Sequence, residues 1–361
     1  MITRRKFLKK TALLSSLFLG SCGWRLANVS SNYTQASQLD QLYIFTWSQY
    51  TEPKLLQNFS RQLGIKVLSD EYDSNDAMLA KLIVGGGGTY SIIYPSDYFV
   101  KKMLEQDLLI EIDHSKIVGL ENLSPRFKNP IYDPGNRYSI PFAWGTTGLL
   151  YNSEKLETPP EDWEYLWQNQ RKLHKRVTLV NDVREVMGAV LKMLGYSYNS
   201  QNETELKQAY EKLRILKPSI ASFATDAWQN QILAGDLLIA MCYSGDAVKV
   251  AKENPKLKYI VPRSGSSLWI DTIVIPKNAP NLAGAYAWIN LNLTPQVAAE
   301  MTQLLKIATP NDAGFELLSQ QLQTNTDLFP PDPIVEKCES LQPLGKFEEV
   351  YQTYWNKLLT F

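Results

Sequence analysis

Histidine is nearly missing from this chain, with only His114 and His174 in 361 residues, both among charged neighbours. No CxxC or HExxH spacing occurs either, so zinc chemistry and histidine-based triads have almost no raw material, and no metal or other cofactor is expected. Cysteine is as sparse: Cys22, Cys242 and Cys338. Two thiols beyond the leader make a weak disulfide framework, and Cys242, inside the apolar "LLIAMCY", is expected to be buried and unpaired. A basic stripe is absent as well. Lys plus Arg equal Asp plus Glu at 37 each, and five of the bases fall in residues 1–21, which carry no acid. The rest therefore holds 32 bases against 37 acids, a mildly acidic body that argues against nucleic acid as the partner. The apolar run "TALLSSLFLG" is far short of the roughly 20 residues that a membrane span needs.

What is present begins with an address. "TRRKFLKK", the short apolar run and Ser21-Cys22 have the layout of an export signal over residues 1–21. "TRRKFLK" resembles the twin-arginine export motif, and "LGSC" resembles a lipobox, which would make Cys22 the site of lipid attachment. Residues 22–39 are polar and lack periodicity, as suits a tether. With 44% hydrophobic and 20% charged residues, the remainder has the profile of a packed globular protein of two domains.

From Leu42 onward, short apolar runs alternate with helical patterns: "LYIFTW", "EPKLLQNFSRQLG", "IKVLSDEY", "NDAMLAKLIVG", "YSIIYPS" and "DYFVKKMLEQ". Alternation of this kind predicts an α/β fold, with ligands beyond the carboxyl ends of strands. Trp47 to Tyr50 and Ser96 to Tyr98 fall at such ends. The "GGGGT" run at 85–89 lacks the Lys-Ser/Thr of a phosphate cradle and reads as a helix-to-strand loop. "YSIPFAWGTTGLLYN" reads as a long strand interrupted at Gly145, leading into a second α/β pattern.

Chemistry-bearing residues gather at these ends. Asp182 and Glu185 stand three apart at a helix entrance, a spacing that also fits a capping box. Tyr243 lies near Asp246, which could equally cap the following helix. Trp269 and Asp271 share one strand face, an awkward pair for a core. With Trp47, Ser48, Gln49 and Tyr50 they describe aromatic walls with acids at intervals. Ring faces attract ammonium groups by about 0.5 to 2 kcal/mol each, and carboxylates orient the charged ends. A glycosidase also uses paired carboxylates with aromatic platforms, and a carbohydrate-active hydrolase stays open as an alternative.

These residues in this order resemble the spermidine/putrescine-binding proteins of bacterial polyamine ABC transporters. The likeness runs from about residue 42 to the C-terminus through "SNDAMLAKL", "YPSDYFV", "YSIPFAWGTTGLLYN", "NDVREVMGAVLKMLGYS", "WIDTIVIP", "ATPNDA" and "YQTYW". It implies a two-lobe periplasmic-binding-protein fold, with 40–145 plus 272–318 as lobe 1 and 146–271 plus 319–361 as lobe 2, joined by crossover strands. It also implies a periplasmic monomer without enzymatic activity that hands a polyamine to membrane permease subunits. By position, Trp47 and Tyr50 would wall the ligand's methylenes, while Ser96 and Tyr98 would meet a terminal amine. Asp182 and Glu185 would take the far amines, and Trp269 and Asp271 would grip the middle. Three departures mark the chain: Gln49 replaces a Glu of the spermidine branch, Asp246 matches an acid of the putrescine branch, and Ile307 and Leu341 stand near positions of a Tyr and a Gln. Another cationic amine or small solute therefore remains an alternative ligand.

Overall fold

The computed structural model describes residues 40–48, 50, 53–85 and 88–361. The export-signal, lipidation and tether expectations, including Cys22, lie outside the described residues, as does Gln49.

Apolar alternation in "QLYIFTW" forms strand β1 (Gln41–Trp47), which lies parallel to β2 (Lys66–Tyr72) and β3 (Ile92–Ile93). Helices connect them: α1 (Pro53–Leu63) buries Leu55 and Phe59, one turn apart, and α2 (Asn75–Ile83) starts on a Ser74 cap. After β3 comes α3 (Asp97–Glu105), burying Phe99, Val100 and Met103. The "YSIIYPS" strand is thus only two residues long, because the chain turns into α3 at once.

β4 (Ser139–Asn152) runs for 14 residues without interruption, which corrects the break expected at Gly145. Gly145 pairs with Trp269 inside the sheet, and its missing side chain is the space that the Trp269 ring fills. A register shift falls instead between Pro141 and Ala143. The first half of β4 pairs antiparallel with β9 (Leu268–Val274), the second half with β7 (Ile239–Tyr243) and β8 (Leu257–Ile260). β7 in turn lies parallel to β5 (Val177–Leu179), which pairs with β6 (Ile220–Phe223). The order is β2-β1-β3-β9-β4-β7-β5-β6: two parallel trios bridged by two antiparallel strands.

Each trio carries its own core. Leu42, Ile44, Ile92, Ile273 and Trp288 pack on one side of the first, with α7 (Leu282–Leu293) and α8 (Pro295–Leu305). Phe45, Met78, Val100 and Val274 pack in a further cluster of that trio. The second trio is covered by α4 (Val183–Met193), α5 (Glu203–Leu216) and the last helix, α9 (Phe347–Thr360), through Met187, Leu213 and Tyr351. Leu150, Trp228, Cys242 and Tyr259 pack beside α6 (Ser244–Glu253). Cys242 is buried and unpaired, and Cys338 is likewise a free thiol.

Candidate functional site

The carboxyl ends of β1, β3, β5 and β7 open onto one cleft between the two trios. Every described candidate lines it: Trp47, Ser48, Tyr50, Ser96, Tyr98, Asp182, Glu185, Tyr243, Asp246, Trp269 and Asp271. Ile307 and Leu341, the two apolar departures, line it as well. Its volume of about 190 Å³ is below the roughly 300–1,000 Å³ of drug-sized pockets, which suits a slim ligand.

Asp271 stands on β9, only 6% exposed. Tyr50 donates its hydroxyl to Oδ2 at 2.5 Å, and Ser96 donates to Oδ1 at 2.8 Å. Burial nonetheless pushes the Asp271 carboxyl up to about 6, the two donors only pulling it back. Ser96 and Tyr50, 175 and 221 positions away in the chain, thus orient this acid from the segments that follow β3 and β1.

Asp182 caps α4 by accepting the N–H groups of Arg184 and Glu185 at 2.7 and 3.2 Å. Glu185 does not complete the capping box. Its carboxylate turns inward, where Ser267 donates at 2.7 Å and Tyr198 at 3.1 Å. The Tyr198 ring reaches it by lying against Gly188, where a Cβ would sit 2.1 Å from the ring. Desolvation first, and the neighbouring Asp182 second, push Glu185 up to about 7. Asp246 is not a cap either: α6 begins at Ser244, and Asp246 falls in its first turn facing the cleft, where burial pushes it up to about 6.

Aromatic rings enclose these acids. Trp47 packs on Tyr72 with ring centres 4.7 Å apart, Tyr50 on Phe142 at 5.5 Å, and Tyr243 meets Trp269 edge-on at 6.1 Å. Sequence reasoning missed several members of the lining. Asn75, the first residue of α2, accepts the Ser96 N–H and donates to the Ser96 hydroxyl, fixing the donor of Asp271. Asp97 is 1% exposed, and burial drives its carboxyl well up. Tyr72, Asp226 and Lys249 also line the cleft. Asn75, Asp97 and Lys249 each look like ordinary helix residues in the sequence, and no local signal separates them from caps or solvated faces.

The donor set has no histidine or thiolate, and among the described residues no group of three potential ligands gathers to hold a metal ion. Burial and uncharged donors act on Asp271, and burial, Asp182 and uncharged donors act on Glu185. Buried carboxylates facing rings and hydroxyls can neutralise a cation and pack its aliphatic parts, and they would repel an anion.

Residues 54–330 match the sequence profile of the bacterial extracellular solute-binding proteins. A spermidine/putrescine-binding periplasmic protein of Salmonella typhimurium is 35% identical over 324 residues, covering 90% of this chain and 92% of its own length. A putrescine-binding periplasmic protein of Pseudomonas aeruginosa is 30% identical, with coverages of 92% and 95%. Among solved structures, a spermidine/putrescine ABC transporter substrate-binding protein of Streptococcus pneumoniae superposes with a TM-score of 0.81 at 35% identity, covering 89% of this chain and 99% of its own.

Proposed function

This chain belongs to the bacterial extracellular solute-binding proteins, and we propose that it captures a polyamine, spermidine or putrescine, and delivers it to an ABC permease. The observation that carries this reading is the Asp271 station: a carboxylate buried among rings and held by two uncharged hydroxyls. An ammonium group supplies the missing charge, and Trp47, Trp269 and Tyr243 take the methylenes. The aliphatic length between the Asp182–Glu185 pair, Asp271 and Asp246 would select amines with separated charges.

The Salmonella typhimurium and Pseudomonas aeruginosa relatives are periplasmic by their names, and the same location, reached by the export signal with Cys22 as lipid anchor, is our reading for this chain. It acts as a monomer whose role is capture and not turnover. Its lobes are residues 40–145 plus 272–318 and 146–271 plus 319–361. Contacts from both lobes to one ligand exist only when the cleft is shut, so binding shifts the population toward closure.

Isothermal titration calorimetry of residues 23–361 with spermidine, putrescine and agmatine, and with acidic amino acids as controls, tests the reading. One-to-one binding of an amine and silence of the acids are expected. Silence with every amine would mean that the fold is kept while the ligand has changed.

A further inference from the structure

Asp271 has Ser96 as a donor only while the Ser96 proton points toward it, and a serine hydroxyl is free to turn. Asn75 decides the direction. Its Oδ1 accepts the Ser96 backbone N–H at 3.2 Å. A backbone N–H can only donate, so the amide atom on the other side, 3.1 Å from Ser96 Oγ, is the nitrogen, which also can only donate. Ser96 Oγ therefore accepts from Asn75, and its single proton is left for Asp271 Oδ1, 2.8 Å away. The same amide nitrogen stands 3.5 Å from the Tyr98 hydroxyl.

A second observation points the same way. Ser96 stands at the N-cap of α3, where a serine side chain ordinarily accepts a helix N–H, yet it makes no such bond. Its hydroxyl is spent on the neighbouring strand instead. The sheet order makes this possible: β2 and β3 flank β1, and β9 lies beyond β3. Asn75 opens the helix after β2, Ser96 follows β3 and Asp271 belongs to β9, so the relay crosses the sheet from one strand end to the next. Ser96 and Asp271 also form an isolated antiparallel bridge, and the Thr272 N–H donates to the Pro95 carbonyl at 2.9 Å, so the backbone holds the two side chains in register. All three residues are buried, where a directed hydrogen bond counts for more than in water.

We propose that Asn75 is a positioning residue of the cleft: by donating to Ser96 Oγ it commits the Ser96 hydroxyl to Asp271 and so favours the ionised acid that a cation would meet. What the oriented acid is for rests on the polyamine reading; its orientation does not. Other titratable groups surround Asp271 and feel its charge: Tyr50 after β1, Tyr72 at the end of β2, Asp97 at the start of α3, Tyr132 in the loop before β4 and Tyr243 at the end of β7. Tyr50 feels Asp246 of α6 as well. These groups stay in place when Asn75 or Ser96 is changed, so a comparison among such variants isolates the relay.

The test follows the Asp271 carboxyl by carbon-13 NMR through a pH titration of the ligand-free protein, its signal assigned by its loss in Asp271→Asn. Wild type, Asn75→Ala, Ser96→Ala and the double variant are compared, with melting curves to verify folding. Ser96→Ala should move the Asp271 titration up by about one pH unit, the size of one lost hydrogen bond. Asn75→Ala, which leaves the hydroxyl in place but free to turn, should move it in the same direction by less, and adding Asn75→Ala to Ser96→Ala should move it no further. Should Asn75→Ala fail to fold, Asn75→Asp keeps the acceptor for the Ser96 N–H and offers the Ser96 proton a second carboxylate. Its charge acts in both backgrounds, so a larger upward shift is expected with Ser96 present than in Ser96→Ala. An unmoved Asp271 titration in Asn75→Ala, or equal shifts with and without Ser96, would overturn the assignment. In calorimetry with spermidine, the fall in affinity toward low pH should move up together with the carboxyl. Silence of the wild-type protein toward spermidine and putrescine would overturn the polyamine reading, while the carboxyl titration would still decide the role of Asn75.

Discussion

A buried carboxylate is a costly residue, and three in this cleft have their pKa values pushed up. Asp271 and Asp246 are raised to about 6 and Glu185 to about 7, in each case first by burial. A raised acid adds stability below the unfolded carboxylate range of about 4, and that contribution is lost as pH rises through 6 to 7. A bound ammonium favours the ionised forms and reverses the loss. The gain in Tm on adding spermidine should accordingly be larger at pH 8 than at pH 5, and an equal or greater gain at pH 5 would contradict the role given to these acids. Asp271→Asn removes the charge and keeps one acceptor oxygen for Tyr50 or Ser96, an amide nitrogen replacing the other. Breaking a buried ion pair typically costs about 3 to 5 kcal/mol, so affinity should drop at least tenfold by calorimetry, and unchanged affinity would take Asp271 out of the ligand's reach.

Elements place these residues through close approaches that only glycine allows. A Cβ on Gly145 of β4 would lie 2.2 Å from Cζ2 of Trp269 and 2.5 Å from the Ser244 hydroxyl. Gly145→Ala must therefore push the Trp269 wall into the cleft or part β4 from β9, at a cost of about 1 to 3 kcal/mol for overpacking. We expect a lower Tm together with weakened amine binding, and a variant that binds as tightly as wild type would show that the Trp269 ring is not a wall of the site. Local signals make much of this scaffold legible: the spacing of Leu55 and Phe59 marks α1, and Asp182 marks the start of α4. Strand ends that set Asp beside Trp or Tyr also announce the cleft, because an unpaired carboxylate fits poorly in a core. What stays hidden is non-local. Nothing near Ser96 reveals that Asn75 holds it, and Glu185 reads as half a capping box until Tyr198 and Ser267 are brought to it. Gly145 reads as a break because the ring that needs its space comes 124 positions later in the chain.

At the scale of the whole molecule, ion pairs join segments far apart in the chain. Lys102 of α3 approaches Glu348 of α9 at 3.6 Å, and Arg126 pairs with Asp332 at 2.7 Å. Both pairs are substantially exposed and contribute little on their own. Tighter is the seat of Gly245 in α6, where a Cβ would come within 2.9 Å of the Lys306 carbonyl oxygen and 3.2 Å of Ile307. If closure brings these two segments together, Gly245→Ala should leave the Tm of the ligand-free protein nearly unchanged while weakening amine binding. Small-angle scattering would then record less contraction on adding ligand, whereas full contraction at wild-type affinity would place Gly245 away from the moving surface. The position of β9 has a further consequence, for how the protein is made. It is inserted between β3 and β4, yet it follows β3 by about 175 residues. At roughly 5–20 residues per second, a growing chain holds β3 with one edge unpaired for about 9 to 35 seconds. During synthesis, the first trio waits for its closing partner, and an exposed strand edge is an invitation to the wrong neighbour.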